Sequence, residues 1–330
     1  MVLPYIWAFI IVFAIVMYVL LDGFDLGVGM LFSVVRNEHQ RNLMMSSVLP
    51  VWDGNETWMV FGAATLYGAF PLAYSTILPT LYLPLFIMLA ALIFRGVAFE
   101  FRYKAKKSKF IWDVMFLLGS VIVAFMQGTL LATFVRGIPM PINGVFSAYS
   151  WLTWYSAFCG IGAILAYSLL GSAWLVKKTE GELQQKAYLA GIVLLILFAC
   201  FLCAVSFWTL FIAPAVTQRW LAADHLPFLI VIPILSIVTV LTILYSFYNR
   251  YERLPFYSVV ILFLLGFIGF AVSVWPYAIP RVVTFEQAAA PTTSLIFMLV
   301  GAIILLPILI GYSCYSYYIF RGKVKDVHEY

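Results

Sequence analysis

Tyr5-Ile6-Trp7-Ala8-Phe9-Ile10-Ile11-Val12-Phe13-Ala14-Ile15-Val16-Met17-Tyr18-Val19-Leu20-Leu21 carries no charged side chain, and the apolar run continues past Asp22 and Asp25 to Val35. A helix needs about 20 apolar residues to cross a hydrocarbon layer about 30 Å thick, so this run reads as a membrane span. The residues before it, Met1-Val2-Leu3-Pro4, lack the basic segment of a signal peptide, and no small-residue cleavage site follows. The run is therefore expected to be retained. Eight further runs qualify: Leu43 to Phe70, Ala73 to Phe101, Phe110 to Val135, Trp151 to Val176, Ala187 to Ile212, Leu226 to Tyr248, Pro255 to Ala278 and Thr292 to Phe320. Hydrophobic residues make up 65% of the 330 and charged residues 10%, and the mean hydropathy is +1.04. A soluble domain with so little charge could not cover its surface with polar atoms. The expectation is an all-α, polytopic membrane protein of about nine helices. It forms a single transmembrane domain over residues 1–330, with four helices in 1–135, the others in 151–320 and a tail at 321–330.

The basic residues test that reading. Placing the N-terminus outside puts Arg36, Arg41, Arg102, Lys104, Lys106, Lys107, Lys109, Lys177, Lys178, Lys186, Arg250, Arg253, Arg321, Lys323 and Lys325 on the cytoplasmic side. Only Arg136, Arg219 and Arg281 fall outside, and Arg95 lies within a span. Such alternation is the signature of an N-terminus outside and a C-terminus in the cytoplasm. It makes the net charge of +5 a topology signal and excludes a nucleic-acid patch. Trp7, Trp151, Trp154, Trp208 and Trp275 near outer ends, with Trp112 and Trp174 near inner ends, fit interfacial belts. The cysteines, Cys159, Cys200, Cys203 and Cys314, sit in apolar runs and read as small core residues.

Charges inside spans demand a reason. They concentrate early: Asp22, Asp25, Asp53, Glu56, Arg95, Glu100 and Asp113. Counted along continuous helices, Asp25 and Asp53 lie roughly 15–18 Å, and Arg95 about 10 Å, above the cytoplasmic boundary. The pairs Asp22/Asp25 and Asp53/Glu56, spaced i, i+3, each share a helix face. Gly23 and Gly27 form a small-xxx-small step that lets a neighbouring backbone come close. Two readings fit: a path by which cytoplasmic protons enter to mid-membrane, or an Arg–carboxylate network that only holds three helices together. Desolvation favours the neutral form of a carboxyl, which suits the first; Arg95 cannot relay a proton, which makes it a structural ion partner. His39, His225 and His328 all fall in connections or the tail, so no span offers the histidine that membrane haem commonly uses. No triad, phosphate loop or metal cluster is visible.

Three segments carry a family likeness: Asp22-Gly23-Phe24-Asp25-Leu26-Gly27-Val28-Gly29, Trp52-Asp53-Gly54-Asn55-Glu56-Thr57-Trp58, and Phe94-Arg95-Gly96-Val97-Ala98-Phe99-Glu100-Phe101-Arg102. In this order they resemble subunit II of cytochrome bd-type quinol oxidases, specifically over roughly the first 105 residues and beyond that in span number and basic tail. The resemblance implies a multi-pass protein of the bacterial cytoplasmic (inner) membrane. It implies a heterodimer with a larger subunit I that ligates two b-type haems and one d-type haem, oxidises quinol and reduces O2 to water with cytoplasmic protons. Small single-span accessory subunits, lipid and a bound quinone are further partners it admits. Subunit II in that family ligates no haem and no metal. By the same resemblance Asp53, the aspartate of the Trp52-Asp53-Gly54 motif, belongs to a proton route; Asp25 matches the second aspartate of its motif, and Glu56, Glu100 and Asp22 are weaker members. Trp52, Gly23 and Gly27 are expected to pack the motifs. The rival readings are a stand-alone proton-coupled secondary transporter and a purely structural anchor. A transporter should show symmetry and polar residues in both halves, whereas here they lie at one end of the chain.

Overall fold

The computed structural model describes residues 2–139, 147–222 and 226–324. In chain order it contains α1 (Leu3–Leu31), α2 (Glu38–Val48), α3 (Trp52–Ala69), α4 (Pro71–Lys104), α5 (Lys109–Arg136), α6 (Trp154–Lys178), α7 (Gly181–Ile212), α8 (Pro214–Leu221), α9 (Leu226–Leu229), α10 (Val231–Tyr248) and α11 (Leu254–Val274). There follow a short antiparallel hairpin of β1 (Tyr277–Ile279) and β2 (Val283–Thr284), then α12 (Phe285–Ala288) and α13 (Thr292–Ile319). The chain is an all-α membrane protein. Among the described residues eight helices, α1, α4, α5, α6, α7, α10, α11 and α13, are long and apolar enough to span a bilayer. α3 corresponds to the remaining expected run, but Asp53, Asn55 and Glu56 make its first turns polar.

Two expected spans are divided. The run Leu43 to Phe70 breaks between α2 and α3, around Pro50, whose ring removes a backbone donor and clashes with a continuing helix. The depth assigned to Asp53 along one helix from Arg41 therefore does not hold. Asp53 is instead the second residue of α3, where its charge faces the positive end of the helix dipole. The run Leu226 to Tyr248 is likewise divided into α9 and α10, and the run Pro255 to Ala278 gives way to the hairpin after Val274. α4 continues through Pro79 and Pro84 but kinks at Leu81, with φ −112° and ψ 18°.

α1 is the hub, packed by α3, α5 and α6; α4 lies against α5, α7 against α6, α10 against α11, and α13 against α3. The closest approach is at glycine. A Cβ on Gly27 would lie 1.9 Å from the Tyr167 carbonyl oxygen and 2.7 Å from the Gly171 nitrogen, so the backbones of α1 and α6 touch there. Gly23 leaves room for the Tyr167 ring instead, 2.8 Å from its would-be Cβ. One turn away, Phe24 stacks on Trp174 with centroids 4.0 Å apart.

Polar contacts sort the connections to two ends. At the basic end, Arg41 of α2 pairs with Asp113 of α5, Gln40 with Glu182 of α7, and Lys323 with Glu180 and Glu252. At the other end, Arg281 donates to the carbonyls of Val135 and Arg136, closing α5, and Arg219 donates to those of Val272 and Trp275.

Two local expectations are corrected. Trp7, Trp151 and Trp174 are buried core residues rather than belt residues; Trp7 donates to the Leu295 carbonyl. Trp154 and Trp275 do face outward. Conversely, Cys200, Cys203 and Cys314 are exposed and Cys159 is only partly buried, so they are not core residues. Both errors have one cause. A membrane helix is apolar on its lipid face and its packed face alike, so composition does not tell the two apart.

Candidate functional site

The centre of the bundle is polar. Arg95 of α4 has no exposed surface; its Nη2 donates to Asp22 Oδ1 of α1 at 2.5 Å and to Glu56 of α3. One guanidinium thereby joins three helices. One turn from Asp22, Asp25 accepts a hydrogen bond from Asn55 Nδ2 at 2.7 Å. Asn55 also donates to the Leu21 carbonyl at 3.1 Å and accepts from the Tyr317 hydroxyl of α13 at 2.9 Å. The bonds are asymmetric in a telling way. Asp22 Oδ2, Asp25 Oδ1, Arg95 Nε and Arg95 Nη1 are buried without a partner among the described residues. The carboxyl groups of Asp22 and Glu56 hold one cation, and that of Asp25 lies one turn along α1 on Asn55.

A second row of polar groups lies beside the first. Tyr167 of α6 donates to Gln127 Oε1 of α5, and Gln127 Nε2 donates to the Tyr18 hydroxyl at 2.8 Å. Tyr18 precedes Asp22 by four residues and so shares its face of α1. Reading the sequence for charge missed Asn55, Tyr317, Tyr18, Gln127 and Tyr167. Asn55 stood inside the second motif and Tyr18 at helical spacing from Asp22. Tyr317 gave no signal, being 262 residues from its partner.

The remaining expected site residues lie further out. Asp53 is exposed, one turn before the half-buried Glu56. Glu100 is exposed on α4. Among the described residues neither forms an ion pair with Arg95, whose carboxylate partners are Asp22 and Glu56. Trp52 stacks on Phe99 with centroids 4.9 Å apart, and its ring lies beside Gly96. Asp113 belongs to a separate cluster at the basic end, holding Arg41 at 2.8 Å and Arg102 at 2.5 Å.

The family model for cytochrome bd terminal oxidase subunit II matches residues 3–320. The chain belongs to that family. Cytochrome bd ubiquinol oxidase subunit 2 of Bacillus subtilis is 30% identical to it, over 97% of this chain and 96% of that one. Cytochrome bd-I ubiquinol oxidase subunit 2 of Escherichia coli K12 is 28% identical over 60% of this chain and 56% of its own. The structure of bd oxidase from Geobacillus thermodenitrificans shares the fold, with a TM-score of 0.76 over 97% of this chain and 99% of that one at 16% identity. As a subunit II, this chain is a multi-pass inner-membrane component of a respiratory quinol oxidase, partnered by subunit I in an oxidoreductase complex that contains haem. The spans contain no histidine; His39 lies in the first turn of α2, and His225 and His328 lie outside the described residues. Among the described residues no three His, Cys, Asp or Glu side chains are grouped to hold a metal ion.

Proposed function

We propose that this chain is the haem-free half of the oxidase and carries protons from the cytoplasmic, basic end toward haems held by subunit I. The observation that supports this is the interior network. Asp22, Asp25 and Glu56 outnumber the single Arg95, so the cluster can hold exchangeable protons while the fixed guanidinium keeps it from becoming strongly anionic. Graded exposure gives the route an order. Asp22 and Asp25 are fully buried, Glu56 is partly buried and Asp53 reaches the surface of the chain, where a partner subunit would receive the proton. Isolated catalysis is not part of this reading, because the described spans contain no histidine. The transporter reading gains nothing from relatives that are all oxidase subunits. Within this reading a quinone or lipid against the later helices and small accessory subunits remain compatible additions.

The test is Asp53→Asn, which keeps size and hydrogen bonding but cannot titrate. The complex should assemble with its full haem content, and its oxygen consumption should fall about tenfold or more. Unchanged turnover in an assembled complex would remove Asp53 from the route.

A further inference from the structure

At the basic end, a recess of about 230 Å³ opens between α2, the end of α4 and the start of α5, lined by Arg36, Glu38, Arg41, Arg102, Lys109, Phe110 and Asp113. Four cations face two carboxylates, and both carboxylates are engaged. Asp113 gives one oxygen to Arg41 and the other to Arg102, and Glu38 is held by Lys109 at 2.5 Å. Each nitrogen of Arg41 has a partner as well, since the others donate to the Val35 and Phe32 carbonyls at 2.6 and 3.2 Å.

Arg102 is different. It is 1% exposed, donates through Nε to Asp113 and through Nη1 to Asn42 at 2.5 Å each, and lies over the Phe32 ring. Arg102 lines the recess, and its Nη2 is buried with no partner among the described residues. A desolvated guanidinium with one unpartnered nitrogen, beside uncompensated positive charge, is suited to receive an anionic oxygen. The rim identifies the source. Phe110 and its neighbour Ile111 are 73% and 52% exposed, an apolar lip at the level of basic residues, as at a bilayer boundary.

We propose that this recess binds the phosphate of an anionic phospholipid, gripped by Arg102 Nη2, Arg36 and Lys109, with the acyl chains lying along Phe110 and Ile111. The site is independent of the proton route. It ties the three basic-end segments to one leaflet, because the same phosphate bridges residues of the α1–α2 connection, α4 and α5.

The experiment uses the intact complex, exchanged into phosphatidylcholine with phosphatidylglycerol as probe and read by native mass spectrometry for bound lipid, haem and subunits. Wild type should retain one phosphatidylglycerol against excess phosphatidylcholine, and matched inorganic phosphate should not displace it. The double variant Arg36→Gln/Lys109→Gln, which leaves the Arg102–Asp113 pair in place, should retain about tenfold less with unchanged haem and subunit content. Equal retention by the variant, or equal retention of phosphatidylcholine, overturns the proposal. Displacement by inorganic phosphate would assign a free-anion site, and loss of subunit I from the variant would assign a subunit contact; either also overturns it.

Discussion

Arg95 is the residue on which the polar centre depends. Its removal as Arg95→Gln leaves the buried Asp22 and the half-buried Glu56 beside no cation, a loss of about 3–5 kcal/mol. The expected result is a complex that assembles poorly and loses haem, measured by haem-to-protein ratio after purification. Asp53 makes no ion pair with Arg95, so combining Arg95→Gln with Asp53→Asn should not restore assembly. Recovery in the double variant would show a direct coupling between them. Asn55 is the second key residue, and one that charge counting passed over. Asn55→Ala strands both the Asp25 carboxyl and the Tyr317 hydroxyl, at about 1–3 kcal/mol for each buried group left unpaired. The melting temperature of the complex should fall even though no charge has changed.

Between elements, the decisive contact is α1 on α6. Gly27→Ala would force a methyl group into the Tyr167 carbonyl and the Gly171 backbone, neither of which can turn aside. Overpacking of this kind costs about 1–3 kcal/mol or more, and the variant should lower the melting temperature further than Gly23→Ala, whose added methyl meets a side-chain ring. At the basic end the segment after α13 is held by surface contacts. The Val324 amide donates to the Lys178 carbonyl at 2.8 Å, and Lys323 pairs with Glu252 at 2.6 Å. The Lys323 hydrogen bond, followed by that from Gln184, holds the Glu252 carboxyl below its ordinary range. A lowered carboxylate contributes its stability above the unfolded pKa and loses it as pH falls through the folded one. A spin label at Val324 should therefore become mobile only in acid, below about pH 4, and stay fixed at neutral pH.

For the molecule as a whole, the two ends defined by polar contacts agree with the alternation of basic connections. With the N-terminus outside, a cysteine probe at Ser108 should be spared by a membrane-impermeant reagent in intact cells. A probe at Asn143, outside the described residues, should be modified; the reverse pattern would invert the orientation. Expressed without subunit I, the chain should show a nearly blank visible spectrum. A Soret band at one haem per chain would place a ligand here and end the haem-free reading. Many outward-facing side chains of α7, α10 and α13, among them Phe207, Leu241 and Phe297, are apolar, as a chain embedded in lipid and docked to a partner requires.

Sequence by itself determined the class, most of the helical runs and the family. These depend on sums over many residues, and about twenty apolar side chains in a row have few alternatives in water or lipid. It also located the polar motifs, because a charge in an apolar run stands out. Only the tertiary structure decided which acids meet Arg95, that Asp53 sits at a helix start on the surface, and that Asn55, Tyr317, Tyr18, Gln127 and Tyr167 complete the interior. Pairing across helices depends on rotation and register, and a break at a single proline resets both. In a membrane, where the lipid face is as apolar as the packed one, local composition holds no record of that choice.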